Sequence, residues 1–175
     1  VLLETFNKAL KKYNNFIELL YDIKSKTSLK TNQLDILIKL EYFSEFGKSK
    51  KLNEFVEYFN EYANRKSISK EKVPQEIYHI IAENSNETEK QFQIQNNSAI
   101  LEKIWNNLQD IDYTIQEKIQ FQKEYLGYIE YKNSEFPKKY VYIEELDAKY
   151  TPKCKAYCLS TGKSMTVKID KKFYN

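Results

Sequence analysis

The chain has 175 residues, 30% of them charged and 41% hydrophobic, enough for one domain of ordinary size or two small ones. Its 28 basic and 25 acidic residues give a formal net charge of +3, unevenly spread. Lys153, Lys155, Lys163, Lys168, Lys171 and Lys172 face Asp170 alone at the end of the chain, while the first 150 residues are slightly acidic. With three glycines and one histidine the chain holds no glycine-rich phosphate loop and no multi-histidine metal site.

No apolar run approaches the roughly 18 residues of a membrane span, and no basic segment leads into an apolar one as in a signal peptide. Two cysteines without a secretory segment fit a reducing compartment, so the expected setting is the cytoplasm, with no membrane partner. A first residue of Val1 in place of Met reads as a fragment of something longer.

In chain order, Leu2, Leu3, Phe6, Ala9 and Leu10 form a first helical stripe. Asn15 with Glu18 three residues on is a helix start, and Phe16, Ile17, Leu19, Leu20 and Ile23 follow at helical spacing until Thr27-Ser28. Asn32 is expected to cap a short helix through Leu34, Leu37, Ile38 and Leu40. An aromatic turn, Glu41 to Gly47, leads to Ser49, the expected cap of a long helix with Leu52, Phe55, Val56, Phe59 and Tyr62 inward. Residues 64–72 read as a loop, Pro74 opens a short helix through Ile77, Ile80 and Ile81, Asn84 to Glu87 is a polar break, and 91–97 is a Gln/Asn-rich run. Ser98 is the expected cap of a helix bearing Ile100, Leu101, Ile104, Trp105 and Leu108. Thr114 and Glu117 form a capping box for the next, with Gly127 past its end.

Beyond Gly127 the period becomes alternating. Tyr128–Tyr131, Tyr140–Ile143, Lys155–Leu159 and Met165–Ile169 read as strands, with Ser160-Thr161-Gly162-Lys163 a hairpin turn between the last two. The expected class is α+β: mainly helical to about residue 126, then a small antiparallel β segment.

Little here promises catalysis. Asp110 and Asp112 read as turn formers, and Glu144-Glu145 with Asp147 as a solvated strand end. Cys154 and Cys158, four apart on a strand, read as buried small side chains, and His79 lies off its helix's apolar face. No converging carboxylates, no metal set and no nucleophile with a base are expected, hence no cofactor in this chain. Lys48, Lys50 and Lys51 are more informative. They surround the start of a helix whose free amides already favour an anion.

Three blocks resemble the bacterial C-family replicative polymerases, the DNA polymerase III α subunits. They are Phe16–Ile23, the run Asn32-Gln33-Leu34-Asp35-Ile36-Leu37-Ile38-Lys39-Leu40-Glu41-Tyr42-Phe43-Ser44-Glu45-Phe46-Gly47, and Glu124-Tyr125-Leu126-Gly127-Tyr128. The blocks keep the family's order, in the region running from its helix-hairpin-helix towards its oligonucleotide-binding (OB) domain. Three departures stand out. Glu41 occupies a place where the family usually has glycine, Glu130-Tyr131-Lys132-Asn133 does not reproduce the serine-histidine-proline block that often follows the Leu-Gly-Tyr element, and Gln91-Phe92-Gln93-Ile94-Gln95 lacks the ending of a sliding-clamp motif.

The resemblance implies a helix-hairpin-helix-like unit at 1–64, further helices at 65–127 and a small sheet leading to an OB fold at 128–175. It implies a non-catalytic, DNA-binding part of a DNA-directed DNA polymerase, whose catalytic aspartates and Mg²⁺ would lie elsewhere. Contacts to the DNA backbone, without sequence specificity, are expected from Ser44, Gly47, Lys48, Lys50, Lys51, Lys153, Lys155, Lys163 and Lys168, with Tyr140, Tyr142 and Tyr157 available for base stacking. Other polymerase domains and the sliding clamp are the implied protein partners. The competing reading is a helical protein-interaction module without nucleic-acid affinity.

Overall fold

The computed structural model describes residues 12–149 and 152–170. The stripe expected at Leu2–Leu10, and Lys171 and Lys172, lie outside them. The fold is α+β, with six helices and two three-stranded antiparallel sheets among the described residues. It divides into two compact units between Tyr113 and Thr114.

The first unit begins with α1, Phe16–Lys26. Asn15 Oδ1 accepts the Glu18 amide at 2.9 Å, Lys24 and Lys26 sit at the negative end, and Phe16, Leu19, Leu20 and Ile23 are buried. Helix α2, Thr31–Lys39, starts two residues earlier than Asn32 as its cap would place it. Its cap is Lys30, whose amide donates to Gln33 Oε1 at 2.9 Å, and the Asn32 side chain turns instead to the Gln33 amide.

Helix α2 stops in a Schellman motif. Tyr42 N donates to Leu37 O (3.1 Å) and Glu41 N to Ile38 O (2.9 Å), which forces Glu41 to φ +64°. The aromatic turn then runs into α3, Ser49–Tyr62. Ser49 is the first residue of that helix rather than its cap, and its side chain is buried.

One core joins these helices. Phe16 lies 6.1 Å from Phe43, 5.8 Å from Phe46, 6.3 Å from Phe55 and 5.9 Å from Trp105, ring centre to ring centre. Leu20, Ile38, Leu52 and Phe59 are buried with them, and Leu37 packs at the edge.

Residues 64–97 hold more order than their polarity announces. Strands β1 (Ser67–Ser69), β2 (Ser85–Glu87) and β3 (Gln91–Ile94) form a sheet in the order β1-β3-β2. Each is three or four residues long, and only Ile68 and Phe92, directly opposite each other, are buried. So short a strand with one inward side chain leaves no alternating pattern to read. Two 3₁₀ turns, Lys70–Lys72 and Gln75–Ile77, lead to α4, Tyr78–Glu83.

Helix α5, Asn97–Asn107, is capped by Asn96, which accepts from the Ala99 amide at 3.0 Å, and not by Ser98. The Asn97 side chain donates to Tyr62 O (2.5 Å) and Arg65 O (2.9 Å), tying the end of α3 to the start of α5.

The second unit opens with α6, Ile115–Tyr125, where Thr114 and Glu117 make the expected reciprocal box and Gly127 takes φ +81°. The segment 128–131 is not a strand. The amides of Glu130 and Tyr131 both donate to Gln122 Oε1 at 2.8 Å, so a side chain has taken the place of a ladder.

Strands β4 (Val141–Asp147), β5 (Lys153–Cys158) and β6 (Lys163–Lys168) form an antiparallel meander with a bulge between Ile143 and Glu145. The turn between β5 and β6 has Gly162 at φ +69°. Tyr157 and Tyr142, with Leu159, pack on α6 through Ile119. The opposite side of the sheet carries Val141, Ile143, Leu146, Met165 and Val167, each between 39% and 56% exposed, around the small side chains of Cys154, Ala156 and Cys158.

Candidate nucleic-acid interface

At the start of α3, Lys48 and Lys50 are exposed on the two sides of buried Ser49, and Ser44 is exposed in the turn before it. Lys51 is engaged elsewhere: its ammonium sits 4.5 Å from the centre of the Trp105 ring. The amide of Lys51, one of the first-turn donors an anion would use, donates to Ile111 O at 3.3 Å. Gly47 adopts φ +152°, and a side chain there would lie 3.9 Å from Asp110 Oδ1. The helix start therefore has internal acceptors close by, and Lys48 and Lys50 are its solvent-facing cations.

The lysines of the second sheet separate by face. Lys153 and Lys168 are cross-strand neighbours, and Lys155 shares their side. Carboxylates accompany them: Asp147 lies opposite Lys153, Glu145 opposite Lys155, and Glu144 Oε1 is 3.5 Å from Lys155 Nζ. Lys163 projects on the other side, opposite Cys158, next to the Gly162 turn. Of the three tyrosines, Tyr157 is buried and donates to Tyr131 O at 2.9 Å, and burial raises its pKa. Tyr142 is half-buried beneath Lys123, 5.6 Å from ring centre to ammonium, and only Tyr140 is well exposed, at 52%.

A different set converges at the turn end of that sheet. Asn133 N donates to Leu159 O (2.9 Å) and Leu159 N to Tyr140 O (3.1 Å), so residues 133–140 are held against the end of β5. Tyr140 N donates back to Pro137 O at 2.9 Å, closing a turn with exposed Lys138 and Lys139 at its centre. Across that turn the Tyr140 ring stacks on Phe136 at 5.9 Å and 18°. Lys132 passes over the Gly162 turn, its Cδ 3.7 Å from where a side chain at Gly162 would begin. Lys132, Lys138, Lys139 and Lys163 thus gather at one end beside a stacked aromatic pair, and Glu135 is the one carboxylate in residues 132–140.

The sequence carries this site as Phe136-Pro137-Lys138-Lys139-Tyr140, an aromatic–basic–aromatic run hidden by reading Tyr140 as the start of a strand. Cys154 and Cys158 are buried, as expected of small core side chains. Cys158 Sγ is 3.3 Å from Ser160 Oγ, and hydrogen bonds from Ser160 and then Thr161 lower the thiol's pKa to about 7.

Among the described residues no group of three or more His, Cys, Asp or Glu side chains is placed to hold a metal ion, and no helix is long and apolar enough to cross a membrane. Compared with protein-family models, curated proteins and solved structures, the chain finds no match in any of the three.

Proposed function

We propose that the chain is a non-catalytic DNA-binding segment of a bacterial replicative polymerase of the C family, gripping the DNA backbone without sequence specificity during replication in the cytoplasm. Polymerase chemistry and its Mg²⁺ belong, on this reading, to other parts of the parent protein.

The observation that carries the proposal is the turn end of the second sheet. The exposed Tyr140 ring, stacked on half-buried Phe136, offers a surface that any base can use, and Lys132, Lys138, Lys139 and Lys163 add exposed cations suited to phosphates at the same end of the sheet. The α2–α3 turn lends support of another kind. Glu41 stands in a left-handed conformation that favours glycine, at the place where the resembled family usually has one. At the start of α3 the backbone contacts fall to Lys48 and Lys50, since Lys51 rests on Trp105.

Labelled single-stranded and duplex oligonucleotides, titrated over several salt concentrations, test the proposal. Each phosphate neutralised contributes a slope of about 0.7 on single strands and about 0.9 on duplex, so Lys132, Lys138, Lys139 and Lys163 changed together to Ala should flatten the slope by roughly three to four units. Tyr140→Ala should weaken single-strand binding by about 1–3 kcal/mol while leaving the slope alone. Absence of binding at low salt, or a slope indifferent to the four lysines, would remove the DNA reading in favour of a protein-interaction module.

A further inference from the structure

A groove of about 550 Å³ runs along the first unit between α3, the 3₁₀ turn Gln75–Ile77 and the end of α5. Its floor is aliphatic: Ile77 and Ile104 are buried, Leu108 is half-buried, and Ile111 stands 40% exposed at the lip. Its walls are acidic. Glu54 and Glu76 line them, and Glu57 and Glu61, which follow Glu54 along one face of α3 at spacings of three and four, line an adjoining pocket that shares Glu54 and Tyr58.

Glu61 pairs with Arg65, and Lys72 lies in the adjoining pocket. Glu54, Glu57 and Glu76 have no cation within ion-pair distance among the described residues. Their field is felt by Tyr58 between them, whose phenol is held above its ordinary pKa first by burial and then by Glu54, Glu76 and Glu57.

We infer that this groove docks a short basic amphipathic helix of a partner protein, with an aliphatic side chain on Ile104, Leu108 and Ile111 and lysines or arginines against Glu54, Glu57 and Glu76. Charge complementarity selects that occupant. Three unneutralised carboxylates repel a phosphate backbone, so the groove does not serve DNA, and an exposed aliphatic lip asks for an apolar contact that a purely ionic ligand lacks. The run from Glu54 to Glu61 spans about 10 Å at 1.5 Å per residue, the length over which a docked helix presents side chains at i, i+3 and i+7. The inference stands apart from the DNA reading, because its residues share nothing with the lysines of the second unit.

The probe is a synthetic amphipathic peptide of leucine and lysine, with a leucine–glutamate peptide of the same pattern as control, followed by fluorescence anisotropy against the full chain. The lysine peptide should bind and the glutamate peptide should not. Glu54→Gln, Glu57→Gln and Glu76→Gln together should weaken binding about tenfold, as three exposed ion pairs of about 0.5 kcal/mol each require. Ile111→Ser, at an exposed position, should weaken it about threefold to tenfold without altering charge. The four-lysine variant that tests DNA binding should leave peptide affinity unchanged. Full affinity in either groove variant overturns the inference, including the case where charge removal acts and Ile111→Ser does not, which marks simple surface attraction.

Discussion

Replacing Glu41 by glycine should make the first unit more stable. Glu41 is the left-handed residue of the Schellman turn that ends α2, at φ +64°. An L-residue held there costs about 1–2 kcal/mol, from which glycine's greater freedom in the unfolded chain takes back about 0.5–1 kcal/mol. The net gain is therefore about 0.5–1 kcal/mol, worth roughly 3–6 °C in the melting temperature of a unit near 100 residues. Trp105 is the chain's single tryptophan and touches Phe16 and Phe55, so its fluorescence during urea unfolding reports this unit. Glu41→Ala supplies the reference, because it removes the carboxylate and keeps the strained backbone. If glycine proves no more stable than alanine, the left-handed turn is not where strain resides.

Phe43→Ala should cost about 3–5 kcal/mol in the same unfolding experiment, since Phe43 is buried between α2 and α3 against Phe16; a midpoint shift under 1 kcal/mol (about a third of the least expected) would contradict the shared core. Tyr62 should make the protein alkali-sensitive. Burial, then the Glu61 carboxylate, pushes its phenol up to about 12, while the unfolded chain ionises it near the ordinary 10.0. Unfolding therefore becomes easier as pH rises from 10.0 to 12 and is untouched by Tyr62 below that window. Tyr62→Phe should remove that part of the pH dependence, and an identical alkaline stability profile in the variant would count against it.

Much of the helical framework was legible because its signals are local and strong. Asn15 with Glu18, Thr114 with Glu117, and Gly127 each act within one turn of helix and needed nothing from the rest of the chain. Caps were misplaced where several polar residues compete. Ser98 lost to Asn96, and Asn32 to Lys30, because the side chain that reaches the free amide depends on where the incoming backbone bends. The sheet of the first unit was hidden for another reason: its strands are polar and held by pairing between distant residues, with only Ile68 and Phe92 turned inward. Tyr128–Tyr131 alternates like a strand, yet one glutamine on α6 takes its amides. Lysine position was readable and lysine environment was not. Nothing in the sequence sets Lys51 on Trp105, carboxylates beside Lys153 and Lys155, or Lys132 at the turn shared with Lys163.

The apolar side of the β4-β5-β6 sheet has a thermodynamic consequence. Val141, Ile143, Leu146, Met165 and Val167 hold hydration water above the small side chains of β5. Any association that displaces this water lowers the heat capacity, so its enthalpy grows more favourable on warming. Sulfate strengthens such contacts by its exclusion from protein surface, whereas added electrolyte weakens the phosphate contacts proposed for the lysines at the turn end of the same sheet. Rising sulfate therefore drives the two sides of this small unit in opposite directions, and a titration in sulfate tells which of them a given ligand has met.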